Sequence, residues 1–171
     1  MNFHAHYAGI AEPVETCLVG SGSFGRSYLA QSRRTRLVNA RIAVDVTAEA
    51  AGKAFAAAGF EPHEIALCST GAEAKAAWNA GRCIAAASLD VVMELPFVLL
   101  VEATGSPEAA TRHSLAAIDA SRHVALVSKE ADSVVGPGLA RLARDKGVVV
   151  TPVDGDQPSL LIALASWAEV I

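Results

Sequence analysis

Only 5% of the residues are aromatic and only 19% are charged, and Lys and Arg nowhere form a run interleaved with aromatics. With a formal net charge of −4 and a pI near 5.7, the chain lacks the electrostatic footprint of a polyanion binder. Nucleic acid is therefore not expected as a partner. Cysteine is scarce: Cys17, Cys68 and Cys83 are odd in number and do not have metal-ligand spacing. Cys17 and Cys68 fall in apolar runs, so free buried thiols in a reducing compartment are expected. No apolar run reaches membrane-spanning length, because Glu94 and Pro96 interrupt residues 91–101. The opening Met1-Asn2-Phe3-His4-Ala5-His6 has no basic segment leading into an apolar one, so no secretory signal is expected. Repeats, low-complexity tracts and linkers are absent too. These absences point to a cytoplasmic protein with no membrane partner.

What is present is apolar residue, 52% of a 171-residue chain, enough for one domain with a sizeable core. Residues 1–15 read as an N-terminal arm and 16–171 as the domain. His4 and His6 lie in the arm, where a solvated tail and a metal site are the alternatives. Strand-like and helix-like segments then alternate. Strands are expected at 17–20, 41–46, 65–68, 98–103, 123–127 and 147–153. Helices are expected at 24–36, 48–58, 72–79, 106–121, 138–146 and 159–170. The first helix carries Arg33, Arg34 and Arg36 in its expected last turn, where they would complement its dipole. Ser106-Pro107-Glu108 is a strong helix start: a capping hydroxyl, proline at the first helical position and an acid in the first turn. Strands joined by helices require crossovers, so the expected fold is an α/β, doubly wound parallel sheet of the Rossmann type.

The most specific local signal is Thr16-Cys17-Leu18-Val19-Gly20-Ser21-Gly22-Ser23-Phe24-Gly25. An apolar run leads into a Gly-x-Gly-x-x-Gly turn that opens a helix, and Asp45 ends the next apolar run twenty residues past Gly25. This layout is the dinucleotide-binding fingerprint. Gly20 would permit a tight turn, Gly22 would let backbone approach a pyrophosphate, and Gly25 would let helix pack close to strand. The helix start, with Ser21, Ser23 and Phe24, would offer N–H groups to the phosphates. An ordinary strand–helix turn is the plainer alternative. Asp45 would accept from the adenosine ribose hydroxyls and repel a 2′-phosphate. Val46-Thr47-Ala48 beside it is neutral, which favours NAD over NADP. The competing reading of Asp45 is a cap for the helix near Thr47.

Other strand ends carry candidates. Glu102-Ala103-Thr104-Gly105-Ser106-Pro107 ends the fourth expected strand; Ala103, Thr104 and Gly105 are small enough to line a nicotinamide path, or form a capped turn, or both. Lys129, after the fifth, could polarise a substrate carbonyl. Asp154 and Asp156, on either side of Gly155, could hold Mg²⁺ or Mn²⁺ through hard oxygen ligands. Alternatively, Asp156 or Gln157 caps the helix opening at Pro158.

Taken together, Leu18-Val19-Gly20-Ser21-Gly22-Ser23-Phe24-Gly25, Glu102-Ala103-Thr104-Gly105, Ser128-Lys129-Glu130-Ala131-Asp132 and Asp154-Gly155-Asp156-Gln157-Pro158 are shared features. Through them the chain resembles the N-terminal Rossmann domain of homoserine dehydrogenase-like oxidoreductases. The resembling branch has longer members with a SAF domain, some of them deoxyxylulose-phosphate-reductoisomerase-like and NADPH-dependent. Ser128-Lys129-Glu130 is similar to the reductoisomerase Asn-Lys-Glu segment. Pro152-Val153-Asp154-Gly155-Asp156 is similar to its metal-binding Pro-Val-Asp-Ser-Glu segment, with Asp156 one methylene shorter than the Glu. The resemblance implies hydride transfer between a nicotinamide cofactor, NAD or NADP, and a small carbonyl or hydroxy substrate. It also implies a substrate and dimerisation domain, supplied by a following segment or a homo-oligomer. A dinucleotide-binding or redox-sensing module without catalysis is the alternative.

Overall fold

The computed structural model describes residues 9, 12–153 and 157–170. Seven strands form one sheet: β1 (Val14–Val19), β2 (Val38–Val44), β3 (Ile65–Cys68), β4 (Cys83–Ala86), β5 (Leu99–Glu102), β6 (His123–Leu126) and β7 (Val150–Pro152). Their order is β3-β4-β2-β1-β5-β6-β7, and every pairing is parallel. Between them run α1 (Ser23–Ser32), α2 (Ala48–Ala57), α3 (Gly71–Asn79), α4 (Pro107–Asp119) and α5 (Lys129–Asp145), and α6 (Gln157–Ala168) follows β7. This is an α/β Rossmann-like fold. No helix among the described residues is long and apolar enough to cross a membrane.

Both faces of the sheet are covered, which is why its strands read as near-continuous apolar runs. Alternate residues divide between two cores. Cys17, Val19, Ile42, Val44, Ile84 and Leu100 pack with Ala74, Ala77, Ile118 and Leu139 on the face of α3, α4 and α5. Leu18, Ala43, Ala85 and Val101 pack with Leu29, Ala51, Ala54 and Phe55 on the face of α1 and α2. Many contacts are made by alanines, which lets helices sit close to the sheet. All three cysteines are free and buried, and burial raises their thiols above the usual range, Cys83 to about 11.

Three differences from the expected elements have local causes, and one alternative reading is decided. The fourth strand in chain order, Cys83-Ile84-Ala85-Ala86, was not expected, because four consecutive buried residues show no strand alternation and Ile84 is their one β-branched side chain. Helix α1 stops at Ser32, short of the expected arginine-rich last turn. Arg33 instead donates to the Gly59 carbonyl and lies 4.6 Å from the centre of the Phe60 ring. Helix α5 starts at Lys129 and runs through Gly136-Pro137-Gly138, where the sequence suggests a start at Gly138. Pro137 is exposed, so the carbonyl it leaves without a helical donor lies on the wet side. Thr47 caps α2 by accepting from Ala50 N–H at 3.1 Å, which removes the capping alternative for Asp45.

Because all strands run the same way, their carboxyl ends meet along one edge. Chain order reverses at β1, which has β2 on one side and β5 on the other. In doubly wound sheets this switch point is where ligands bind.

Candidate functional site

The glycine turn sits at the switch point, and its three glycines do different work. Gly20 has φ +92°, and a Cβ there would lie 2.6 Å from the Ala103 backbone. A Cβ on Gly25 would overlap the Gly20 carbonyl oxygen and press on Leu18. A Cβ on Gly22 would meet nothing within 4 Å. Gly20 and Gly25 are thus needed by the fold, whereas the space over Gly22 belongs to a cleft. Gly22 is also the N-cap of α1, with no side-chain capping bond. The first N–H groups of a helix have no intrahelical acceptors, so Ser23, Phe24 and Gly25 present the positive end of α1 to this space.

Asp45 follows β2 and reaches back to this turn. Its Oδ2 accepts from Ser21 N–H at 2.8 Å and from the Ser21 hydroxyl. Its Oδ1 accepts from Val46 N–H at 2.7 Å. Partial burial pulls the carboxyl upward, but bonds from Ser21 and Val46 outweigh it and hold Asp45 below the ordinary carboxylate range. Asp45 is therefore a charged group at neutral pH. A carboxylate has about four acceptor positions, and with three used, one on Oδ1 remains for a ligand hydroxyl. Val46 beside it is 86% exposed.

A second carboxylate organises the other side of the switch point. Glu102, the last residue of β5, is fully buried. Its Oε1 accepts from Thr104 N–H at 3.1 Å and from Thr104 Oγ1–H at 2.5 Å. Its Oε2 accepts from the Ser128 hydroxyl, and Ser128 Oγ accepts from Gly105 N–H at 3.0 Å. Burial opposes the charged form of Glu102, but His113, Ser128 and Thr104 prevail and lower its pKa. One ionised side chain thus joins the ends of β5 and β6 to the turn between β5 and α4. Ser106 caps α4, accepting from Ala109 N–H at 3.4 Å.

These groups border a cleft of about 840 Å³, within the size range of small-molecule and cofactor sites. Of the residues anticipated from sequence, Gly20, Gly22, Asp45, Val46, Ala103 and Thr104 line it. Ser21 is buried behind the turn. Ser23, Phe24 and Gly25 form the first turn of α1, with the Phe24 ring stacked on Tyr28 at 6.3 Å. Gly105 is held by Ser128. Lys129 opens α5 at the carboxyl end of β6, exposed and outside the cleft wall. Asp154 and Asp156 lie outside the described residues. Among those described, no group of three or more His, Cys, Asp or Glu side chains could hold a metal ion.

The cleft also has a wall that reading the sequence missed. Ala109, Arg112, His113 and Ala116 face it from α4, and Ser88, Leu89 and Asp90 from the turn after β4. The i, i+3, i+4, i+7 spacing of the α4 residues marks one helix face, but nothing local shows that this face meets Asp45. The turn after β4 was missed together with β4.

No protein-family model and no curated protein matches this sequence. Solved structures resemble the fold. The WlbA dehydrogenase from Bordetella pertussis, in complex with NADH and UDP-GlcNAcA, is 20% identical with a TM-score of 0.60, over 83% of this chain and 38% of that one. GenD2 from gentamicin A biosynthesis, in complex with NAD, is 19% identical with a TM-score of 0.55, over 83% of this chain and 34% of that one. A homoserine dehydrogenase from Thiobacillus denitrificans is 23% identical with a TM-score of 0.51, over 82% of this chain and 29% of that one. The chain thus spans about a third of the length of these three proteins.

Proposed function

We propose that this chain is the cofactor-binding domain of a nicotinamide-dependent oxidoreductase, with NAD preferred over NADP. The observation that carries the reading is the ionised Asp45 carboxylate, tied by Ser21 to a glycine turn whose central glycine opens on the cleft. The residues fit the group. The space over Gly22 suits a diphosphate at the start of α1. The remaining acceptor position of Asp45 suits a ribose hydroxyl, and its charge disfavours a 2′-phosphate. The NAD- and NADH-bound structures of similar fold support the same assignment.

When bound, the nicotinamide supplies or accepts a hydride. This chain's part is to orient it: Glu102 fixes Thr104, and Ser128, itself held by Glu102, fixes Gly105. Reduction of a carbonyl also needs a proton at its oxygen. We assign that proton to Lys129, at the carboxyl end of β6, for a small carbonyl or hydroxy substrate of the homoserine dehydrogenase-like or deoxyxylulose-phosphate-reductoisomerase-like kind. A divalent metal held by Asp154 and Asp156 belongs to the second of these and rests on the resemblance of that segment. On α6, Leu161 is 65% and Trp167 62% exposed, which supports cover by a second copy of the chain or by a following substrate domain.

Titration of the purified chain with NADH and NADPH, followed by nicotinamide fluorescence and repeated with Asp45→Ala, tests the reading. Tighter NADH binding that weakens in the variant is expected. Binding of NADPH alone would overturn the role of Asp45 and favour the reductoisomerase-like assignment. Binding of neither dinucleotide would overturn the cofactor reading of the isolated chain.

A further inference from the structure

The charges around the cleft are unfavourable for the ligand assigned to it. Asp45 and Asp90 line it, and Glu102 lies buried beneath, against Arg112 as the one permanently charged cation among its described lining residues. A dinucleotide brings two further negative charges in its diphosphate. The start of α1 offsets part of this through its free N–H groups. His113 is the remaining group in the wall able to change charge near neutral pH.

His113 stands against the buried Glu102 carboxylate. Its Nδ1 is buried without a hydrogen-bond partner and stands 3.8 Å from Glu102 Oε1. The side chain is 22% exposed, and that exposure is to the cleft. The hydrogen bonds that Glu102 does accept come from neutral donors, Thr104 and Ser128, so an imidazolium would supply the counter-charge that a buried carboxylate needs. A protonated ring donates from both nitrogens: from Nδ1 toward Glu102 and from Nε2 toward the ligand. Elements packed against α4 carry further charged or titratable groups. These are His123 on β6, Lys129, Glu130 and Asp132 in the first turn of α5, and Arg141, Arg144 and Asp145 in its last two turns.

We propose that dinucleotide binding in this cleft takes up a proton at His113, whose imidazolium, positioned by Glu102, is the cationic partner of the diphosphate. The inference rests on the cofactor assignment above and adds a ligand-contacting residue and a pH linkage to it. Because the bound state holds more protons than the free state, affinity rises as pH falls through the imidazole range. One fully coupled proton corresponds to at most about tenfold per pH unit.

Isothermal titration calorimetry of the chain with NADH, and separately with ADP-ribose, reads this directly. Titrations at about pH 6, 7 and 8, each in two buffers of different protonation enthalpy, give affinity and proton uptake together. Several-fold weaker binding at the highest pH, with uptake of a fraction of a proton near neutrality, is expected for both ligands. In His113→Gln the uptake and the pH slope disappear. In His113→Lys, a fixed cation, binding at high pH is retained without uptake. Melting curves of both variants report whether the fold survives, and His113→Lys carries the test if His113→Gln is unfolded. Uptake that persists in a folded variant overturns the inference, as does uptake with NADH but not with ADP-ribose. If neither ligand binds the unaltered chain at any pH, the cofactor assignment falls with it. If both bind with affinity independent of pH, only the role of His113 falls.

Discussion

At the scale of single residues, the glycine turn separates fold from function. Gly25→Ala forces a Cβ into the Gly20 carbonyl, a backbone atom that cannot step aside. Overpacking of this kind costs about 1–3 kcal/mol, so a lower melting temperature and lost NADH binding are expected together. Gly22→Ala adds a methyl to open space. Its stability should stay within about 1 kcal/mol of that of the unaltered chain, while NADH affinity falls by about tenfold or more, the effect of roughly 1.4 kcal/mol. Melting and titration of both variants check the separation; equal loss of affinity without loss of stability in Gly25→Ala would contradict it. Glu102 gives a pH prediction. Its carboxyl is held below the ordinary value in the folded chain. Its contribution is therefore complete above that ordinary value, near pH 4.3, and is lost as pH falls through the folded value. Asp45 acts in the same direction. Glu102→Gln should lower stability at neutral pH by about 1–3 kcal/mol and flatten its acid dependence, read from urea midpoints at pH 3 to 7.

At the scale of elements, α5 carries a segment that local propensity argues against. Gly136-Pro137-Gly138 interrupts a run that α5 nevertheless spans from Lys129 to Asp145. The helix persists because Ala131, Gly136, Leu139 and Ala143 stay buried on one side, and most helix stability in a folded chain comes from packing. Gly138 is exposed, and a Cβ on it would meet nothing within 4 Å. Gly138→Ala should thus stabilise the chain by about 0.5–1 kcal/mol, seen as a higher thermal midpoint. No gain would mean that the helix is already limited by Pro137. The same conflict between local and tertiary preference explains what the sequence concealed here. A helix start at Gly138 is what propensity suggests, and burial of residues as far apart as Ala131 and Ala143 on the helix overrides it. Strand β4 is the converse: Ala85 and Ala86 have little strand propensity, and only pairing with β2 and β3 on both sides makes this segment a strand.

At the scale of the whole molecule, the cleft is formed by segments that belong to opposite halves of the chain, so its occupation should be felt globally. A ligand that binds only the folded state stabilises it by about 2.7 kcal/mol at a hundred times its dissociation constant. For a domain of this size that is a rise of about 5–10 °C in melting temperature. NADH should produce it, NADPH should produce less, and Asp45→Ala should abolish the difference; a larger rise with NADPH would reverse the cofactor preference. By itself, the amino-acid sequence determined the alternation of strands and helices, the parallel sheet, the three glycines and the acid twenty residues beyond. Each of these is a local pattern, set by neighbours a few positions apart. The convergence of side chains was decided by the tertiary structure alone. Asp45 meets Ser21 across 24 positions, Glu102 meets Ser128 across 26, and His113 comes to face Asp45 across the cleft. Strand order brings these pairs together, and strand order depends on which apolar faces bury one another, not on any spacing within a single segment.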